Sequence, residues 1–253
     1  MTSLKNKIVF ITGASAGIGE ACAKLLAAQG AKLILTARRL DRLEALKKEL
    51  KTPVYIIQLN VSDAKAVEQA VNALPEDWKN IDILINNAGL ASGLELLADA
   101  FVEQFDRMID TNIKGLLYVT RAILPMMIEN QTGHIVNLAS IAGHVVYPKG
   151  IVYSATKHAV RAITNGLRQE VHGKNIRVTD ISPGAVETEF SLVRFGDAKR
   201  AAKVYEGYDP LTAGDIADAI IYALSRPQHV SINEIVITPT AQLVGTALGF
   251  SKK

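Results

Sequence analysis

Short apolar runs rich in β-branched residues alternate along this chain with stretches in which apolar side chains recur every three or four positions. The runs Ile8 to Thr12, Lys32 to Thr36, Val54 to Leu59, Ile81 to Ile85, His134 to Leu138, Ile176 to Ile181 and Glu234 to Thr238 read as seven strands. Several are apolar at consecutive positions and lack the alternation of a sheet with one wet face, so both faces are expected to be covered. Between them, Leu43, Leu46 and Leu50 share one helix face while Arg42, Glu44, Lys47, Lys48 and Glu49 fill the rest. Val160, Ile163, Leu167 and Val171 repeat the pattern. Parallel neighbours need crossover helices, so repeated strand, helix, strand units predict an α/β fold with a doubly wound, seven-stranded parallel sheet and helices on both faces. No Pro, Gly or Ser-rich linker and no charge block divides the sequence, and residues 1–253 read as a single domain.

Composition agrees. A chain of 253 residues, 49% hydrophobic and 21% charged, has enough apolar side chains for one large core. Its net charge of +3 is spread thinly, with the Arg38, Arg39 pair its most pointed part, so no nucleic-acid partner is expected. The segment from Met1 through Lys5 and Lys7 into Ile8 lacks the apolar core of a signal peptide. No run reaches the ~20 apolar residues of a membrane span. The expectation is a soluble, cytoplasmic protein with no membrane partner. Cys22, the sole cysteine, excludes an internal disulfide and reads as a small buried thiol. The five histidines show no metal-ligand spacing, and no metal is expected.

Directly after the first strand come Thr12, Gly13, Ala14, Ser15, Ala16, Gly17, Ile18 and Gly19, with a helix opening over Glu20 to Gln29. Glycines here permit a tight bend and close approach of backbone to a pyrophosphate, with the helix amino terminus aimed at its charge. Strand, glycine turn and helix together predict a Rossmann-type dinucleotide site made by Gly13, Ser15, Gly17, Ile18 and Gly19. About 20 residues further on, where a free ribose 2′-hydroxyl usually meets a carboxylate, stand Arg38 and Arg39 instead. Guanidinium groups suit a 2′-phosphate, so NADP(H) is expected rather than NAD. Asn60 and Val61 close the third strand and Asn86, Asn87, Ala88 and Gly89 the fourth. Both sets belong beyond the carboxyl ends of the strands, in the same crevice.

Tyr153 and Lys157 lie four apart on one helix face, and Ser140 follows an apolar strand. A phenol titrates near pH ~10 unaided, and a neighbouring ammonium makes it a usable acid/base. Ser140 is placed to hold a substrate oxygen.

With these motifs in order, the chain resembles the short-chain dehydrogenases/reductases over about Lys7 to Pro239, through Thr12 to Gly19, Asn86 to Gly89, Asn112, Ser140, Tyr153 with Lys157, and Pro183, Gly184 and Thr188. Asn60 departs from the pattern, standing where many members carry Asp. The resemblance implies that Tyr153 is the general acid/base and that Lys157 lowers its pKa while holding the nicotinamide ribose. It further implies that Ser140 orients the substrate and that Asn112 kinks its helix and holds a proton-passing water. Pro183, Gly184, Val186 and Thr188 join the cofactor contacts. Residues Pro183 to Phe195 and Tyr205 to Gln242 are similar to the tetrameric branch acting on 3-hydroxy acids: NADP-dependent serine or allo-threonine 3-dehydrogenases and malonic semialdehyde reductases. The expected partner is therefore a small hydroxy acid or carbonyl compound, and the expected assembly a homotetramer. A reductase of sulfoacetaldehyde, a 3-oxoacyl thioester or assorted ketones is the alternative within the family, and a catalytically silent NADP-binding sensor the alternative outside it.

Residues 184–212 carry Phe190, Leu192, Val193, Phe195, Tyr205 and Tyr208, enough apolar surface for a lid. A substrate carboxylate needs a cation, and Arg194 is the first candidate, Lys149 the second. The apolar tail over 243–253, with Leu243, Val244, Ala247, Leu248 and Phe250, is expected to be buried against a partner subunit.

Overall fold

A computed structural model describes residues 2–244 and 248–250 of the chain. Seven strands form one sheet: β1 (Ile8–Thr12), β2 (Lys32–Ala37), β3 (Val54–Gln58), β4 (Ile83–Asn86), β5 (Gly133–Leu138), β6 (Ile176–Pro183) and β7 (Glu234–Ile237). They are all parallel, in the order β3-β2-β1-β4-β5-β6-β7. The order reverses between β1 and β4, which opens a crevice at their carboxyl ends.

The unbroken apolar runs are explained by where the alternate side chains go. Val9 and Ile11 of β1 and Leu33 and Leu35 of β2 pack with α1 (Gly17–Ala28), α2 (Leu40–Glu49) and, through Ile216 and Ile220, the helix Ala213–Leu224. Ile8, Phe10 and Ile34 point the other way, toward α3 (Ala64–Asn72), the helix Leu116–Glu129 and the carboxyl half of Ile151–Glu170. Cys22 is fully buried in the first cluster, and burial pushes its thiol up to about 12, which leaves it unreactive.

Most elements shift by a residue or more at one end from the sequence expectation, and two of these shifts have a visible cause or consequence. The fourth strand starts at Ile83, because the Asp82 carboxylate turns back to accept from the Ile8 amide at 2.8 Å and the Lys7 ammonium at 2.7 Å. The first helix starts at Gly17, inside the glycine turn, and so aims its free amides into the crevice. Helix α4 (Val102–Ile109) runs through a π turn (Asp110–Gly115) into α5 (Leu116–Glu129), and α6 (Ile151–Glu170) follows β5. After β6 come α7 (Glu189–Phe195), α8 (Ala198–Lys203) and α9 (Ala213–Leu224). No helix among the described residues is long and apolar enough to cross a membrane. Of the expected apolar tail, residues 245–247 and 251–253 lie outside the described residues, while the Leu243 side chain is 64% exposed.

Candidate active site

The glycine turn is shaped by contacts that leave no room for side chains. Gly13 and Gly17 adopt φ of 66° and 57°, in the left-handed region that favours glycine. A Cβ on Gly19 would meet the Gly13 carbonyl oxygen at 2.5 Å. Asn87 fixes the turn from below: its Nδ2 donates to the carbonyl oxygens of Thr12 at 2.9 Å and Gly13 at 3.1 Å, and the Thr12 hydroxyl accepts from the amides of Asn87 and Ala88. Above the turn lies a cavity of about 340 Å³. Every residue expected at a cofactor site lines it except Gly19, which packs beneath the turn instead. A tight, side-chain-free turn, a helix amino terminus and arginines at one rim are the donor set that a dinucleotide phosphate requires, so the residues present fit NADP(H).

The two arginines have different environments. Arg38 is exposed at the cavity rim. Arg39 reaches back to the Ser15 hydroxyl, with Nε at 3.3 Å and Nη2 at 3.2 Å, and its Nη1 donates to Glu189 at 2.9 Å. Arg42 donates to the other oxygen of the same carboxylate at 2.6 Å. Glu189 lines the cavity, and the two guanidinium groups hold its carboxyl below the usual range. Sequence reading missed Glu189 as a member of this site, because nothing local marks a glutamate on one helix as the partner of arginines 150 positions away.

Ser140, Tyr153 and Lys157 meet at the inner end of the same cavity. The Ser140 hydroxyl donates to the Pro183 carbonyl oxygen at 3.3 Å and accepts from the Ala142 amide at 3.1 Å. The Tyr153 ring is 9% exposed and packs on Phe190 with centroids 5.6 Å apart. Burial, followed by the neighbouring Tyr147, pushes the Tyr153 phenol above the ordinary range, while Ser140 and Arg194 pull it down less strongly. This differs from the expectation that Lys157 would leave it lowered. In the free protein the phenol is held protonated. Burial also brings the Lys157 ammonium down to about 8, and its Nζ donates to the Leu138 carbonyl oxygen at 2.7 Å.

Asn112 sits in the π turn that joins α4 to α5. Its side chain is committed elsewhere: Oδ1 accepts from the Leu90 amide at 2.8 Å, and Nδ2 donates to the Leu90 carbonyl oxygen at 2.8 Å and to the Thr156 hydroxyl at 3.0 Å. The amide therefore splints the segment after β4. Gly89 sits between this amide and the lysine; a Cβ there would lie 3.3 Å from Asn112 Oδ1 and 3.6 Å from Lys157 Nζ.

Arg194 and Lys149 do not line the main cavity. Both border a smaller one of about 30 Å³ on the far side of Tyr153. Arg194 donates from Nε to the Gly93 carbonyl oxygen at 3.1 Å and from Nη1 to the Tyr147 hydroxyl at 3.1 Å, with its guanidinium 5.9 Å from the centre of the Tyr153 ring. Lys149 is exposed, on a backbone with φ of 66°.

Comparison with known proteins accounts for this arrangement. The family model for short chain dehydrogenase matches residues 7–196. The chain belongs to that family. Among curated members, this short chain dehydrogenase is 49% identical over 237 residues to the NADP-dependent 3-hydroxy acid dehydrogenase YdfG of Salmonella typhi, covering 93% of this chain and 96% of that protein. It is 44% identical over 235 residues to the serine 3-dehydrogenase of Agrobacterium fabrum strain C58, covering 92% and 94%. Among solved structures, the closed form of serine dehydrogenase complexed with NADP+ superposes with a TM-score of 0.93 at 47% identity, covering 97% of this chain and all of that one. The serine dehydrogenase of Escherichia coli superposes at 0.82 with 44% identity, covering 93% and 99%.

Proposed function

We propose that this short chain dehydrogenase transfers a hydride between NADP(H) and a small 3-hydroxy acid of the serine, allo-threonine or 3-hydroxypropionate type. One observation carries the reading: arginines suited to a 2′-phosphate and the Ser140, Tyr153, Lys157 group line one and the same 340 Å³ cavity. NADP(H), when bound, supplies or accepts the hydride. Gly13, Ser15, Gly17, Ile18, Asn87, Ala88 and Gly89 would hold its phosphates and central part, Arg38 and Arg39 its 2′-phosphate, Asn60 and Val61 its adenine end, and Pro183, Gly184, Val186 and Thr188 its nicotinamide end.

The chain's own chemistry is proton transfer and orientation. Ser140 holds the substrate oxygen against the Tyr153 hydroxyl. In reduction the phenol, already protonated in the free protein, donates its proton to the developing alkoxide; in oxidation it must first lose that proton, a step that an ammonium on the same helix face, Lys157, would favour. Phe190 covers the ring and keeps water from it. The segment 184–212 acts as a lid, a role supported by the two bonds that join Arg194 to Gly93. Arg194, beside the phenol ring, is the cation for the substrate carboxylate, and Lys149, exposed and outside the main cavity, is the weaker candidate. A homotetramer is part of the same reading. It is supported by the exposed apolar side chains Leu96, Leu97, Phe101 and Val102 on one stretch of surface.

The test is a screen for NADP+ reduction with L-serine, D-serine, L-allo-threonine, 3-hydroxypropionate and 3-hydroxyisobutyrate, run beside NADPH oxidation with sulfoacetaldehyde and a simple ketone. Turnover of the hydroxy acids well above the other two is expected. Preference for either carbonyl compound would replace the substrate assignment, and no turnover of any would end the enzymatic reading.

A further inference from the structure

Helix α7 touches both the arginines and the catalytic tyrosine. At its first residue the Glu189 carboxylate bridges Nη1 of Arg39 at 2.9 Å and Nη1 of Arg42 at 2.6 Å. One residue on, Phe190 packs on the Tyr153 ring, and near the other end Arg194 stands 5.9 Å from the centre of that ring. Seven helical residues span only ~10 Å, so these three side chains move as one piece. Arg38, Arg39 and Glu189 line the cavity and Arg42 pairs with Glu189 from outside it, so three positive charges gather about a single negative one. Arg39 is the shared group, held between the Ser15 hydroxyl and Glu189. A phosphate monoester arriving there brings roughly two negative charges at neutral pH, which the arginines attract and Glu189 opposes. A 2′-hydroxyl in the same place is indifferent to that charge.

We propose that Glu189 is a positioning residue that sets cofactor selectivity: it anchors α7 over Tyr153 through Arg39 and Arg42 and, by sharing their charge, restrains the affinity for a 2′-phosphate. The inference rests on the NADP(H) reading above. Affinity at the rim is exchanged for a fixed helix at the phenol. Because the Glu189 side chain is 38% exposed, solvent screens both pairs and the effects are modest.

The test is Glu189→Gln, which keeps the shape and removes the charge, followed by titration calorimetry with NADP+ and NAD+ at low and moderate salt. The NADP+ dissociation constant should fall about twofold to fivefold, the NAD+ constant should stay unmoved, and KM for the hydroxy acid should rise. A structural disturbance would not tighten binding of one nucleotide alone. An NADP+ constant that is unchanged or raised, an equal change for both nucleotides, or a KM that does not rise overturns the proposal. Arg42→Met supplies the opposite sign, since Glu189 then leans on Arg39 alone: NADP+ should weaken about threefold with NAD+ unmoved. Tighter NADP+ binding in that variant also overturns it. Wild-type protein that binds NADP+ no better than NAD+ would instead undo the cofactor reading itself.

Discussion

The Lys157 ammonium lies 5.8 Å from the centre of the Tyr153 ring, on the same helix face, and gives a hydrogen bond to the Leu138 carbonyl oxygen at 2.7 Å. The main chain of β5 thus holds the buried ammonium near the ring rather than on its hydroxyl. Both groups are under strain from burial, in opposite senses. The phenol is kept neutral, and the ammonium is brought within reach of losing its proton.

Removing the phenolic oxygen isolates its role. Tyr153→Phe keeps the ring that packs on Phe190. Turnover in either direction should fall by about 10²-fold to 10⁴-fold, the range for loss of a positioned acid/base. The NADP+ dissociation constant by calorimetry should stay within about twofold. Residual activity near wild type would move the proton transfer to another group.

The buried lysine predicts a stability profile. Its pKa drops from 10.5 to about 8 on folding, so the unfolded chain binds more protons than the folded one between those values, and stability rises with pH across that window. Lys157→Met cannot titrate. The stability of wild type relative to this variant should therefore improve by roughly 2 to 3 kcal/mol between pH 7 and pH 10.5, measured by urea unfolding of the free protein. A difference that stays constant over that range would mean that the ammonium is solvated in the folded state.

Arg194 separates substrate recognition from chemistry. Arg194→Leu removes the cation beside Tyr153 and its bonds to Gly93 and Tyr147. For serine or 3-hydroxypropionate, KM should rise by about tenfold or more, as expected on losing a charge-assisted pair, while an uncharged aldehyde is turned over as before. Equal losses for charged and uncharged substrates would assign Arg194 to holding the loop alone.

How much of this was legible in the sequence depended on range. The seven strands and the glycine turn could be read because their causes are local: β-branched runs with both faces apolar, and left-handed backbone at positions 13 and 17 that glycine adopts without strain. Tyr153 and Lys157 were found by helical spacing. What escaped was set by distant partners. Glu189 meets Arg39 across 150 positions, Arg194 meets Gly93 across 101, and Asn112 binds the Leu90 backbone through contacts that no periodicity marks. The pKa of Tyr153 escaped for a related reason, since the number of atoms that fold over a phenol, and hence the desolvation that dominates it, is a property of the packed core.

A sheet whose seven strands all point one way crowds its reactive loops onto a single rim. The opposite rim, where Asp82 receives the Ile8 amide and the turns before β3, β5 and β6 lie, takes no part in hydride or proton transfer. Tags, surface anchors or grafted peptides placed at Lys51 or at Lys174 should therefore leave catalysis intact.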